Sequence, residues 1–207
     1  MNKNRLEAFS DGVFAIIITI MVLELHVPTG GLFSVLWPLW PTFLSYGLSF
    51  AYVGIYWNNH HHLFQTVTRI SGNILLANLN LLFWLSLLPF ATAWMGQNYR
   101  APAPTLLYGV LLLAAAVSYT VLEHSIICLQ GQESLLRSLL GAGRKEHLSM
   151  ALYAAGIGLA YYVTAAAQTC YVLVALLWTV PDRRIERALN DRAPQHGHTH
   201  SHTHEPQ

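Results

Sequence analysis

The sequence predicts an all-α, polytopic membrane protein with six transmembrane helices, and three observations carry that reading. Only 10% of the 207 residues are Asp, Glu, Lys or Arg while 54% are apolar, against about 25% charged residues in an average soluble domain. Apolar stretches close to the 20 or so residues needed to cross a hydrocarbon core about 30 Å thick recur along the chain. The basic residues collect on one side of the resulting topology. With 11 Lys and Arg against 10 acidic residues, there is no basic excess to hold a phosphate backbone, so no nucleic-acid partner is expected.

The spans fall at about 5–26, 41–59, 74–95, 105–129, 148–165 and 169–180. Before the first, Lys3 and Arg5 could open a secretory signal, but Asp11 and Glu24 bracket the apolar run and no A-x-A site follows, so it reads as a retained helix. Pro41 suits the first turn of the second span, where a missing N–H costs nothing. Asn73, Asn78 and Asn80 on the third can bond across helices. Pro102 and Pro104 mark the connection to the fourth, near whose end Glu123 and His124 indicate a membrane interface. Ala151, Ala154, Ala155, Gly156 and Gly158 would let the fifth approach its neighbours closely.

No Gly or Pro separates the last two spans, yet residues 148–180 as one helix would reach about 50 Å at 1.5 Å per residue, too long for one crossing without severe tilt. The charge distribution decides. Six spans put Lys3, Arg5, Arg69, Arg137, Arg144, Lys145, Arg183, Arg184, Arg187 and Arg192 on one side and only Arg100 on the other, so both termini are expected to be cytoplasmic, in the cell membrane. Five spans would move four C-terminal arginines outside. Cys128 then lies near the inner face and Cys170 near the outer, beyond the roughly 7 Å that a disulfide permits. The connection 135–148, with Arg137, Arg144 and Lys145, reads as a cytoplasmic segment against anionic lipid heads. Residues 1–190 form the membrane domain, and 191–207 a disordered, His-rich cytoplasmic tail. Its five alternating histidines, His196 to His204, could bind transition metals incidentally through neutral imidazoles.

The first helix is the most informative. Between Asp11 and Glu24 lie 12 uncharged residues, about 18 Å at helical rise and shorter than the membrane. At least one carboxylate must sit at membrane depth or its margin, which is tolerable only against protein or water. Phe9, Gly12, Ile16, Thr19 or Ile20, and Leu23 recur three and four apart and form one stripe.

The segment Arg5-Leu-Glu-Ala-Phe9-Ser10-Asp11 resembles the R-x-x-x-F-S-D signature of the transmembrane-protein-175 family, the potassium channels of bacterial and lysosomal membranes. Trp57 with His60 or His61 is similar to that family's Trp/His element, and Asn80-Leu-Leu-Phe-Trp-Leu-Ser-Leu-Leu-Pro89-Phe90 to its third helix. The resemblance implies a homotetramer whose first helices line a pore, with potassium ions and the lipid bilayer as partners and no cofactor. The constriction would begin five residues after the motif Asp, at Ile16, and continue at Thr19 or Ile20 and at Leu23. Arg5, Phe9, Ser10, Asp11, Trp57 and His60 would form a structural network, Asp11 pairing with Arg5 or accepting hydrogen bonds from another helix. Glu24 would sit at the outer mouth, where a fourfold ring concentrates cations.

A carbonyl filter of the T-V-G-Y-G kind is not expected: the nearest string, Tyr52-Val53-Gly54-Ile55-Tyr56, lies inside an apolar helix whose carbonyls are already bonded. Ions would instead pass an aliphatic ring partly dehydrated, which favours potassium because it holds water less tightly than sodium. The competing function is a secondary transporter of divalent metal, which needs Asp and His ligands at helical spacing in the midplane. No H-x-x-x-D or D-x-x-x-D pair lies within a span. No span sets a nucleophile convincingly beside a base, so an enzyme is not expected.

Overall fold

Asn2 starts the first helix by accepting the backbone N–H of Asn4 on its side-chain oxygen at 3.3 Å. The computed structural model describes residues 2–130 and 144–179. Within them α1 runs Lys3–Leu23, α2 Trp40–Gln65, α3 Gly72–Ser86, α4 Leu88–Gln97, α5 Pro102–Gln130, α6 Arg144–Leu159 and α7 Thr164–Thr179. A 3₁₀ turn, Phe33–Leu39, precedes α2. Every helix or strand assigned among the described residues is a helix. The predicted tail 191–207 and most of the connection 135–148 lie outside these residues.

The 21 residues of α1 reach about 31 Å, enough to cross a bilayer. Leu6, Ser10, Phe14, Ile17 and Met21 are buried, a three-and-four spacing that turns one face onto α2, α3 and α4. Pro41 occupies the first turn of α2, as expected. Leu32, Phe33 and Trp37 ahead of that helix are largely exposed, which suits the headgroup level, where aromatic rings concentrate.

The third span is interrupted. Residues Gly72–Gln97 form one apolar rod, but α3 ends at Ser86 and α4 begins at Leu88, so the continuous helix expected over 74–95 is corrected. Pro89 explains the break, since it has no N–H to give the carbonyl of Leu85, four residues back, and its ring crowds that position. The fifth and sixth spans are separate, but they part at residues 160–163 and not between 165 and 169. The N–H groups of Tyr162 and Val163 both turn back to the carbonyl of Leu159, at 2.9 and 2.8 Å. Tyr161 and Tyr162 are strongly exposed there, as aromatic side chains at a membrane–water boundary would be.

By length and composition three rods among the described residues suffice to cross a membrane: Lys3–Leu23, Gly72–Gln97 and Pro102–Gln130. The α7 helix is apolar but has 16 residues. Polar residues dilute the apolar character of α2, and α6 opens on Arg144, Lys145, Glu146 and His147. The α2 polar groups are used inside the protein: Ser45, Ser49 and His60 are buried.

A tyrosine cluster holds α5, α6 and α7 together. Tyr171 on α7 lies against Gly109 of α5 and Gly156 of α6, and its hydroxyl donates to the carbonyl of Thr105 at 3.2 Å. Tyr52 of α2 donates to the carbonyl of Tyr171 at 2.6 Å. A Cβ at Gly109 would meet the Tyr171 hydroxyl and one at Gly156 its ring. Gly109→Ala and Gly156→Ala are therefore each expected to destabilise the bundle by about 1–3 kcal/mol, the usual range for overpacking. Thermal unfolding in detergent reads this directly, and a midpoint equal to wild type would contradict it. Of the small residues singled out on this helix only Gly156 works in this way: Ala151, Ala154, Ala155 and Gly158 are exposed. Glu123 is buried, whereas His124 beside it is exposed.

Candidate pore helix and its polar anchor

Three polar residues of the first turns of α1, Glu7, Ser10 and Asp11, each find a side-chain partner on α2 or α3. Ser10, fully buried, donates its hydroxyl to the carbonyl of Leu6 at 2.9 Å. Having spent its one proton, it can only accept from Asn78 Nδ2, 3.0 Å away. Asn78 Oδ1 therefore faces His60, whose Nε2–H donates to it at 2.8 Å. That order fixes the histidine tautomer and leaves Nδ1 without a proton, in agreement with its having no hydrogen-bond partner. The rings of Phe14, edge-on at 5.6 Å, and Phe64, stacked at 4.4 Å, enclose the imidazole.

A second set lies beside it. Trp57 Nε1–H donates to Asp11 Oδ1 at 3.0 Å, and His61 Nδ1 is 3.2 Å from Glu7 Oε1. The Trp57 and His61 rings stack at 6.1 Å. As the partners step forward along α1 from Glu7 to Asp11, they step back along α2 from His61 to Trp57, so the two helices are antiparallel and the contacts fix their register. Of the two roles open to Asp11, accepting from another helix is the one observed. No ion pair joins it to Arg5 among the described residues, and Arg5 is exposed. The choice between His60 and His61 dissolves, since His60 serves the buried chain and His61 the outer one.

The stripe residues point elsewhere. Phe9 is 51%, Ile16 57%, Ile20 42% and Leu23 79% exposed in the single subunit. Thr19 is also exposed and returns its hydroxyl to the carbonyl of Ile16 at 2.8 Å. Only 28% of the apolar window of α1 is buried, against 50% in Gly72–Gln97 and in Pro102–Gln130, so α1 leaves most of its apolar surface for lipid or for another chain. Glu24 follows the last turn and is exposed, with its own carbonyl 2.9 Å from His26 Nδ1.

Two further polar links were signalled in the sequence only by Asn or Ser on apolar helices. Asn80 donates to Ser118 of α5 at 2.7 Å, and Ser49 lies 2.8 Å from the Tyr108 hydroxyl. Asn73, the third asparagine singled out, is not among these links. Cys128 and Cys170 are both free. No group of three or more His, Cys, Asp or Glu among the described residues is placed to hold a metal ion. The His-rich tail lies outside those residues.

Comparison with known proteins follows the same residues. The profile of a family described as "Endosomal/lysosomal potassium channel TMEM175" matches residues 5–89. A protein of Chryseobacterium sp. (strain P1-3) named as a potassium channel is 53% identical over 191 residues, covering 92% of this chain and all of that one. A human protein named "Endosomal/lysosomal proton channel TMEM175" is 31% identical over 82% of this chain, which spans 36% of the human protein's length. A crystal structure described as a lysosomal potassium-selective channel TMEM175 homolog from Chamaesiphon minutus superposes with a TM-score of 0.75 at 28% identity, over 88% of this chain and 97% of that one.

Proposed function

We propose that this chain, which belongs to the TMEM175 family of ion channels, conducts potassium ions passively through a pore lined by the α1 helices of four identical subunits. As a member it is a membrane ion channel and not an enzyme. Potassium as the ion is supported by the bacterial relative that aligns over its whole length and bears that name. The single observation that carries the pore reading is the division of α1: polar bonds tie one face to α2 and α3, while Ile16, Ile20 and Leu23 stand outward on the other side.

Four such helices around an axis would form successive aliphatic rings. An apolar ring offers no replacement for a hydration shell and can also empty of water. Ile16 makes the first ring, Thr19 or Ile20 the next and Leu23 the last. Tyr52-Val53-Gly54-Ile55-Tyr56 lies within α2, with its carbonyls engaged in helical bonds, so discrimination rests on partial dehydration. Arg5, Phe9, Ser10, Asp11, Trp57 and His60 serve to hold and orient the pore helix. Both termini face the cytoplasm across the cell membrane, on the strength of the ten-to-one distribution of basic residues.

Reversal potentials across bilayers containing the purified protein, in opposed potassium and sodium gradients, test this reading. The expected result is reversal close to the potassium equilibrium potential. Slow, saturable, zinc-dependent flux without such current would favour the metal carrier, and reversal that tracks the pH gradient would make the channel a proton pathway.

Glu24 supplies a further prediction. A ring of carboxylates at the outer mouth raises the local cation concentration, an effect screened beyond a Debye length of about 10 Å at 0.1 M salt. Glu24→Gln is expected to lower single-channel conductance at low ionic strength, by about twofold for an exposed charge, and to leave it nearly unchanged at 1 M. Equal loss at both salts would remove Glu24 from the mouth.

A further inference from the structure

We propose that Arg5 sets a ring of four positive charges at the cytoplasmic mouth of the pore, so that the channel passes potassium less readily outward than inward. The inference rests on the fourfold α1 pore proposed above and assigns the charge at its inner end. At about 100° per residue, Arg5 lies on the same line of α1 as Leu23, within about 20° of Gly12 and Ile16 and about 40° of Phe9. It is exposed. A helix turned to bring Ile16 and Leu23 to the axis therefore brings Arg5 there too, 11 residues before Ile16 and about 16 Å short of the first aliphatic ring. Of the residues between them on this line, Gly12 carries no side chain and has open space around it.

The subunit itself leaves this guanidinium unused. Among the described residues it makes no side-chain hydrogen bond and no ion pair. It stands in the first turn of α1, which holds no acidic residue, and a basic group there opposes the helix dipole, whose positive end it adjoins. Local helix stability does not account for it. The carboxylates of the same helix do not cancel it at the axis either. Glu7 lies about 160° around α1 from Arg5 and Asp11 about 120°, and both are turned to α2, Glu7 to His61 at 3.2 Å and Asp11 to Trp57 Nε1–H at 3.0 Å. Lys3 also lies about 160° from Arg5. The charge closest to the axis is thus Arg5, with the positive end of the dipole behind it. A potassium ion arriving from the cytoplasm meets that field before it sheds any water, and the ring lowers the local cation concentration and with it the rate of entry.

Inside-out patches holding the full-length channel, with equal potassium on both sides, test this. In 0.1 M salt, where charge is screened beyond about 10 Å, the wild-type outward single-channel current is expected to be about half the inward current at matched voltages. At 1 M, with a Debye length of about 3 Å, the two should be nearly equal. Arg5→Gln is expected to raise the outward current about twofold in 0.1 M salt and to leave the inward current, on which Glu24 acts, unchanged. Arg5→Lys should keep the wild-type behaviour. Lys3→Gln, the same loss of charge on the opposite side of the helix, should change neither current. Single-channel currents do not depend on how many channels assemble, so a poorly folding variant gives fewer events and not a different ratio. An outward current equal to wild type in Arg5→Gln, an equal rise in Lys3→Gln, or a wild-type ratio that is the same at 0.1 M and 1 M would overturn the proposal. Reversal potentials report the pore separately. A channel that reverses at the potassium potential but gives any of those results keeps its pore and loses Arg5 from the mouth, whereas a protein with no potassium current loses both.

Discussion

Ile16→Ala is expected to raise sodium permeability relative to potassium and to increase leak through channels that still assemble. If aliphatic rings select by resisting hydrated ions, trimming three carbons from each of four side chains widens the ring and lets both ions keep more water. Discrimination then falls, and each 1.4 kcal/mol of lost difference is about tenfold in the permeability ratio. Leu23→Ala should act in the same direction. Val22, also exposed, lies about 100° around the helix from Leu23 and about 120° from Ile16, with 16 and 23 only about 20° apart, so Val22→Ala serves as the control that leaves the ratio alone. A buried Ile would behave differently, since truncation would leave a cavity costing about 2–5 kcal/mol and reduce assembly without touching selectivity. Ile16 is 57% exposed in the subunit, so no such cavity forms within it. An unchanged potassium-to-sodium ratio in both assembled variants, Ile16→Ala and Leu23→Ala, would take these side chains off the pore axis.

Asn78→Leu is expected to destabilise the bundle. Leucine keeps the γ-branched skeleton of asparagine but accepts nothing, so His60 Nε2–H would be left unpaired between the rings of Phe14 and Phe64. A buried donor stranded in this way costs about 1–3 kcal/mol. Ser10 keeps its bond to the carbonyl of Leu6 and is not stranded. Replacing both polar partners by apolar groups can be nearly neutral, so the double variant His60→Phe with Asn78→Leu should recover most of the loss. Unfolding of the three proteins in detergent checks this. A double variant no more stable than Asn78→Leu alone would mean that the loss does not come from the stranded His60 donor.

Periodicity alone separated the two sides of α1, because residues three and four apart share a face whatever the tertiary context. The stripe of Phe9, Gly12, Ile16, Thr19 or Ile20, and Leu23 is exposed throughout, while Ser10 of the motif lies on the buried side. Burial does not choose between Thr19 and Ile20, since both are exposed. The partner of Ser10 was not legible: Asn78 is 68 residues away along the chain, and an asparagine on an apolar helix announces a bond without naming its mate. Pro89 was visible as a helix breaker, yet hydropathy carried the third span straight through it. The division between α6 and α7 was legible only from charge and length, because its turn uses no Gly or Pro and is closed by backbone bonds to Leu159.

Among the described residues the polar cross-helix contacts of α1 fall in its first half, at Glu7, Ser10 and Asp11, and beyond them Ile17 and Met21 hold it by apolar packing. A rod clamped near one end is a lever. Leu23 stands 12 residues beyond Asp11, about 18 Å along the axis, so a tilt of about 5° at the clamp would swing it sideways by about 1.6 Å while the anchoring bonds change length very little. Were α1 to rock about this clamp, displacement along the aliphatic stripe would grow from Ile16 to Leu23. Any force that rocks α2 through Trp57 would be magnified at the far end of the helix.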